Sequence, residues 1–193
     1  ILAAGAWSAS EVNAATLFSR GATWNYYKGN DHPSGGDLEW TESDFDDSDW
    51  PSGASPIRYG DGNGGTVLGD MRNNYSTMFF RRIFTVANPA QISALDLHLD
   101  YDDGFVVWIT GEEVLNVGGA ADLSHDSFAS ISHESGNFET LLRKLVPGKK
   151  SSHSKTMTAA SVAVGWFNSS IKERRSWPKF EPRVFIGRFS RIP

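Results

Sequence analysis

The chain lacks cysteine altogether. That excludes disulfide staples, cysteine-ligated zinc and thiol catalysis, and leaves the redox compartment open. It also lacks any apolar run near the ~20 residues that a bilayer-crossing helix needs, so no membrane span is expected. Catalytic signatures are scarce. There is no G-x-S-x-G nucleophile elbow and no H-E-x-x-H zinc pattern. The run Gly60-Asp61-Gly62-Asn63-Gly64-Gly65 has no lysine and no helix signal after it, so it is not a phosphate loop. Acidic residues are scarce in one region only. Residues 140–193 hold 2 acids against 12 bases, whereas residues 1–139 hold 21 acids against 6 bases. An acidic body argues against nucleic acid as a partner. The basic end suits a phosphate, a lipid or plain solvent.

What is present favours β structure. The 193 residues are 39% hydrophobic, enough for one domain with a real core. With 19 Gly, 8 Pro, 7 Trp, 5 Tyr and 12 Phe, turns and aromatics dominate over helix formers. Residues 1–16 read as a linker or a signal-peptide remnant, because Ala4-Gly5-Ala6 has the small-x-small form of a cleavage site. Leu17–Tyr27 reads as strand. Residues 31–76 are loop-rich, with short strands or a helical turn at Ser43–Trp50 expected within them. Thr77–Val86 is aromatic and β-branched, a strong strand signal. In Ala94–Tyr101, Leu95, Leu97 and Leu99 alternate with Asp96, His98 and Asp100, which predicts a half-buried strand. Asp102-Asp103-Gly104 reads as a tight turn with glycine at positive φ. Phe105–Ile109 then returns as a buried strand, and Val114–Val117 follows the turn Thr110-Gly111-Glu112. The whole reads as a β-meander within a sandwich or barrel.

Three stretches carry a resemblance. Phe45-Asp46-Asp47-Ser48-Asp49-Trp50 runs on through Gly53, Pro56 and Tyr59 to Gly60-Asp61-Gly62. Phe79-Phe80-Arg81-Arg82 is followed by Phe84 and Val86, and Asp102-Asp103-Gly104 by Val106, Val107, Ile109, Gly111 and Val114. In this order they resemble the galactose-binding-like jelly-roll modules of large secreted bacterial proteins, found beside metallophosphoesterase-type and other hydrolase domains. The N-terminal sugar-binding sandwich of some β-glycosidases has a similar plan. The resemblance covers roughly residues 17–148. It departs at Thr110, where the family's second turn has Asn. It implies an all-β, antiparallel sandwich, generally non-catalytic, secreted or on the cell surface, and attached to catalytic domains of a parent chain. Modules of this kind often hold one structural calcium ion.

The family pattern also implies one more core strand after Pro147-Gly148 and a closing strand beyond it. The chain reads Lys149-Lys150-Ser151-Ser152-His153-Ser154-Lys155 there, where the charge balance flips. A one-base frame shift from Lys149 permits Glu-Val-Leu-Ala-Leu-Gln-Asn, a plausible core strand. Residues 149–193 are therefore expected to be a divergent or frameshifted basic tail, poorly packed against the module.

Candidate sites follow from side-chain chemistry. The pairs Asp46/Asp47, Asp102/Asp103 and Glu112/Glu113 are adjacent on turns, so they are expected to point apart and stay solvated, unlike the facing carboxylates of a glycosidase. His98, His125, His133 and His153 show no metal spacing and read as surface residues. Calcium would find hard oxygen donors on loops at Asp61, Asp102 and Asp103, with Asn63 and Asp100 nearby in sequence. A sugar would stack on exposed aromatics, and Trp40, Tyr59 and Tyr75 lie in the loop-rich segment. Trp50 and Phe45 read as core plugs. The expected function is a carbohydrate-binding or spacer module without catalysis. Its rivals are a small glycan or phosphate-ester hydrolase and a ligand-free structural or adhesive module.

Overall fold

The computed structural model describes residues 16–59, 63–85, 94–120, 122–136, 139–144, 159–167 and 179–185. Within them the chain is an all-β sandwich of two six-stranded sheets. Its one helical element among the described residues is a single 3-10 turn at Glu39–Thr41. The first sheet contains β1 (Thr16–Phe18), β4 (Ile57–Arg58), β5 (Thr66–Val67), β7 (Ala94–Asp100), β10 (Glu139–Lys144) and β12 (Lys179–Phe185). Its order is β10-β7-β12-β4-β5, with β1 also paired to β12. The second contains β2 (Thr23–Lys28), β3 (Ser52–Ala54), β6 (Thr77–Thr85), β8 (Gly104–Ile109), β9 (Glu112–Val117) and β11 (Ala159–Phe167), in the order β3-β2-β6-β11-β8-β9. All pairings are antiparallel except β4 with β5.

Strand alternation explains how the second sheet is covered on both faces. On β6, Met78, Phe80 and Phe84 point into the core between the sheets, where they join Trp24, Leu97, Leu99, Phe105 and Val107. Phe79 points the other way, into a second apolar cluster with Trp40, Val106, Trp108 and Ala163. The unbroken apolar run Phe105–Trp108 follows from this, since its odd and even residues serve different clusters. The second cluster is roofed by the loop-rich segment around Trp40, with Phe45, Trp50 and Leu123 packed at its edge. Phe45 and Trp50 meet edge to face at 5.8 Å, as the plug reading anticipated. The helical turn lies at Glu39–Thr41, ahead of the expected Ser43–Trp50.

Three expectations are corrected. First, Asp102-Asp103-Gly104 does not join two paired strands. β7 pairs with β10 and β12, and β8 with β11 and β9, so the turn carries the chain from one sheet to the other. Consequently Asp100, Asp102 and Asp103 are buried rather than solvated. Second, Gly104 is required by a close approach and not by positive φ. A Cβ there would lie 2.4 Å from the Gly118 carbonyl oxygen. Third, the described residues after 148, 159–167 and 179–185, lie within the sandwich rather than in a tail outside it. β11 lies between β6 and β8, and β12 between β7 and β4. The outward-facing residues Ser161, Ala163 and Gly165 of β11 are small and buried, which leaves room for Trp40 above them.

Candidate functional site

The loop layer over the second sheet is fixed from below by Arg81 and by two bonds to Thr41. The Arg81 guanidinium, buried on β6, donates to the Asp47 carboxylate at 2.8 Å and to the carbonyls of Trp40, Glu42 (2.8 Å) and Phe45 (3.3 Å). Ser161 Oγ donates to the Thr41 carbonyl at 3.0 Å, and the Gly111 amide donates to the same oxygen at 3.1 Å. A second loop, residues 122–129, is tied to the start of β6. Thr77 Oγ1 donates to the His125 carbonyl, and Ser76 Oγ to the Ser127 carbonyl at 3.2 Å.

Between this second loop and residues 32–38 lies a cleft of about 330 Å³, lined by His32, Leu38, Asp122, Leu123, Ser124 and His125. Its walls are preformed. His32 Nδ1 accepts the amides of Gly36 (3.0 Å) and Ser34 (3.4 Å), which places the proton of the neutral ring on Nε2. The ring meets Phe79 edge-on at 5.6 Å. Burial lowers the His32 pKa, and the nearby His125 adds to this, while Asp37 and Asp31 act in the opposite direction. On the facing loop, Asp122 Oδ1 accepts the Ser127 hydroxyl and the Ser124 amide (3.3 Å), and Asp126 accepts the Ser124 hydroxyl. Those serine hydrogen bonds hold both carboxyls below the usual carboxylate range. Leu38 stands 40% exposed at the cleft.

The aromatics named from sequence lie elsewhere. Trp40 is 1% exposed, and its ring is covered by Phe79 at 5.1 Å and Trp108 at 5.3 Å, so it presents no face to a sugar. Tyr75 is 9% exposed and donates its hydroxyl to Asp70 at 3.1 Å, within reach of Lys28. Tyr59 is half-buried against the inter-sheet core. The expectation of exposed loop aromatics is thus corrected for Trp40 and Tyr75. Both are large aromatic side chains in a segment whose own apolar residues form the roof of a cluster or the edge of the core.

The calcium donors divide similarly. Asp61 lies outside the described residues. Asp102 and Asp103 sit at the crossing between the sheets, where Asp103 Oδ1 accepts the His133 amide at 3.0 Å. Asp100 accepts the Gly136 amide at 2.8 Å, and the His133 ring stacks on Tyr101 at 4.0 Å. These contacts pin the segment 133–136 over the turn. Among the described residues no group of three or more His, Asp or Glu is arranged to hold a metal ion. The cleft residues His32, Leu38, Asp122, Leu123 and Ser124 were not picked out from the sequence. Their only signal there is polar and apolar side chains interleaved in two glycine- and serine-rich loops.

No protein-family model and no curated sequence matches this chain. Solved structures do. A β-glucuronidase of Bacteroides uniformis superposes over 90% of the chain with a TM-score of 0.55 at 16% identity. A β-glucuronidase of Lactobacillus rhamnosus covers 93% at 0.51 and 15%, and a β-glucuronidase from glycoside hydrolase family 2 covers 93% at 0.51 and 13%. At these identities the likeness is one of fold. The chain spans 18%, 29% and 18% of the three proteins respectively, so it corresponds to one part of each.

Proposed function

We propose that this chain is a non-catalytic accessory module of a larger glycan-processing protein and that it binds carbohydrate. The supporting observation is that a single sandwich accounts for 90% of this chain and for 18% of a β-glucuronidase. A module of that relative size sits beside catalytic domains in the longer protein, and the chemistry belongs to those domains. The acidic pairs agree with this reading. Asp102 and Asp103 are buried at a crossing between sheets, where Asp103 accepts the His133 amide, and they do not line the open cleft.

A second reading is a ligand-free structural module. It is favoured by the closed loop layer, in which Trp40 is sealed under the segment 38–50. One experiment separates the two. The full chain is run through affinity gels of soluble plant and bacterial polysaccharides and tested on aryl glycosides and aryl phosphates. Retardation by at least one polysaccharide with no turnover supports the binding module. No retardation supports the structural reading, and turnover of either substrate class overturns both.

A further inference from the structure

The cleft between residues 31–38 and 122–125 combines two leucines, two imidazoles, a hydroxyl and a carboxylate. We infer that it is a subsite for an uncharged saccharide ring. This rests on the carbohydrate-binding reading above and adds the place and the class of ligand. A pyranose has an apolar C–H face and a rim of hydroxyls that both donate and accept. Leu38 and Leu123 offer apolar surface. His32, with its proton fixed on Nε2, His125, Ser124 and Asp122 offer both kinds of hydrogen-bonding group in the same small volume. The walls are braced before any ligand arrives, by the two amides on His32 and the serine bonds to Asp122 and Asp126. A preformed wall limits the entropy lost on binding.

Charge selects among sugars. Asp122 lines the cleft, Asp126 follows His125 on the same loop, and Asp31 and Asp37 flank His32. Burial favours the neutral form of His32, and among the described residues no lysine or arginine lines the cleft to offset these carboxylates. A uronate would bring like charge into that field, whereas a neutral ring meets hydrogen-bonding groups only.

The test uses the full chain, with imidazole resonances followed by NMR at pH 7.5. The probes are methyl β-glucoside, methyl β-galactoside, methyl β-mannoside and methyl β-glucuronide. At least one neutral glycoside is expected to shift the His32 and His125 signals, with the glucuronide binding more weakly. Leu38→Asp and His125→Ala, both at solvent-reachable positions, are each expected to weaken binding about tenfold or more. Their near-ultraviolet circular dichroism and melting should match the parent. The inference is overturned if no neutral glycoside shifts either ring, if the glucuronide binds as tightly, or if both folded variants bind as the parent does. Polysaccharide retardation that survives in both variants would remove this subsite and leave the binding module standing. No retardation of the parent would remove both.

Discussion

Arg81 and Asp47 meet at 2.8 Å across 34 residues of chain, the arginine side chain wholly buried and the aspartate near the surface. The same guanidinium reaches three carbonyls of residues 40–45 and lies 5.1 Å over the Phe45 ring. One strand residue thereby fixes the loop layer that follows the cleft residue Leu38 in the chain. A planar group with five donors suits this, and a lysine ammonium cannot reach the same set. Arg81→Ala is expected to cost about 3–5 kcal/mol, since it strands a carboxylate and several carbonyls. Arg81→Lys should recover less than half of that loss. Urea unfolding of both variants checks this, and a loss below about 1 kcal/mol for Arg81→Ala would refute the clamp.

The hairpin between β8 and β9 turns through Thr110 and Gly111, both at positive φ (52° and 77°), which is the two-residue type I′ geometry. Glycine at 111 suits its positive φ, and the near atoms are only the movable tip of the exposed Glu42 side chain. Threonine at 110 is strained, since a β-branched side chain disfavours that region. Asn is the residue the resembling family has at this position. Thr110→Asn is expected to stabilise the fold by about 1 kcal/mol and raise the melting temperature by a few degrees. An unchanged or lower melting temperature would mean that the turn differs from this description.

Much of this hairpin and its neighbours was legible in the residues. Thr77–Thr85 and Gly104–Ile109 are aromatic and β-branched enough to declare strands, and Leu97 and Leu99 are buried as their alternation predicts. Ile109, read the same way, is only half-buried at the hairpin end of its strand, and the Leu95 side chain lies outside what is described. What alternation cannot encode is the partner of a strand. β7 and β8 look like two arms of a hairpin in sequence, yet they belong to opposite sheets. β11 was missed because its buried outer face is Ser161, Ala163 and Gly165, residues too small to signal a core strand. The cleft was missed because its residues come from two loops about 90 positions apart and share no spacing.

His32 gives the stability a pH dependence of known sign. Its folded pKa lies below the ordinary 6.5, chiefly through burial. The unfolded chain therefore binds the proton more readily than the native one. The neutral ring's contribution is complete above about 6.5 and is lost as pH falls through the depressed native value. Protonation at Nδ1 would also break the bonds from the Gly36 and Ser34 amides. NMR titration should find His32 below 6.5. The difference in unfolding free energy between the parent and His32→Gln should shrink on acidification from pH 7 to pH 5. A ring that titrates at or above 6.5, or a difference that grows, would contradict this.

The strand β11 carries a decisive test of the sequence beyond residue 148. Ala163 is 0% exposed beneath Trp40, Phe79 and Trp108, and Ser161 Oγ donates to the Thr41 carbonyl from the same face. A larger side chain has no room there, so Ala163→Leu is expected to cost about 1–3 kcal/mol through overpacking. Deleting residues 149–193 removes a strand from the middle of each sheet and bares the edges of β6, β8, β7 and β4. The shortened chain should therefore give no cooperative unfolding transition in urea. The one-base-shifted reading from Lys149 makes opposite predictions. It supplies its core strand from the codons of residues 149–156, so no alanine packs beneath Trp40 at position 163 in that reading, and the shifted chain would have the higher urea midpoint. Resequencing the gene and comparing the two versions side by side separates them. A costly Ala163→Leu together with an unshifted gene retires the frameshift and makes the basic segment a true part of both sheets.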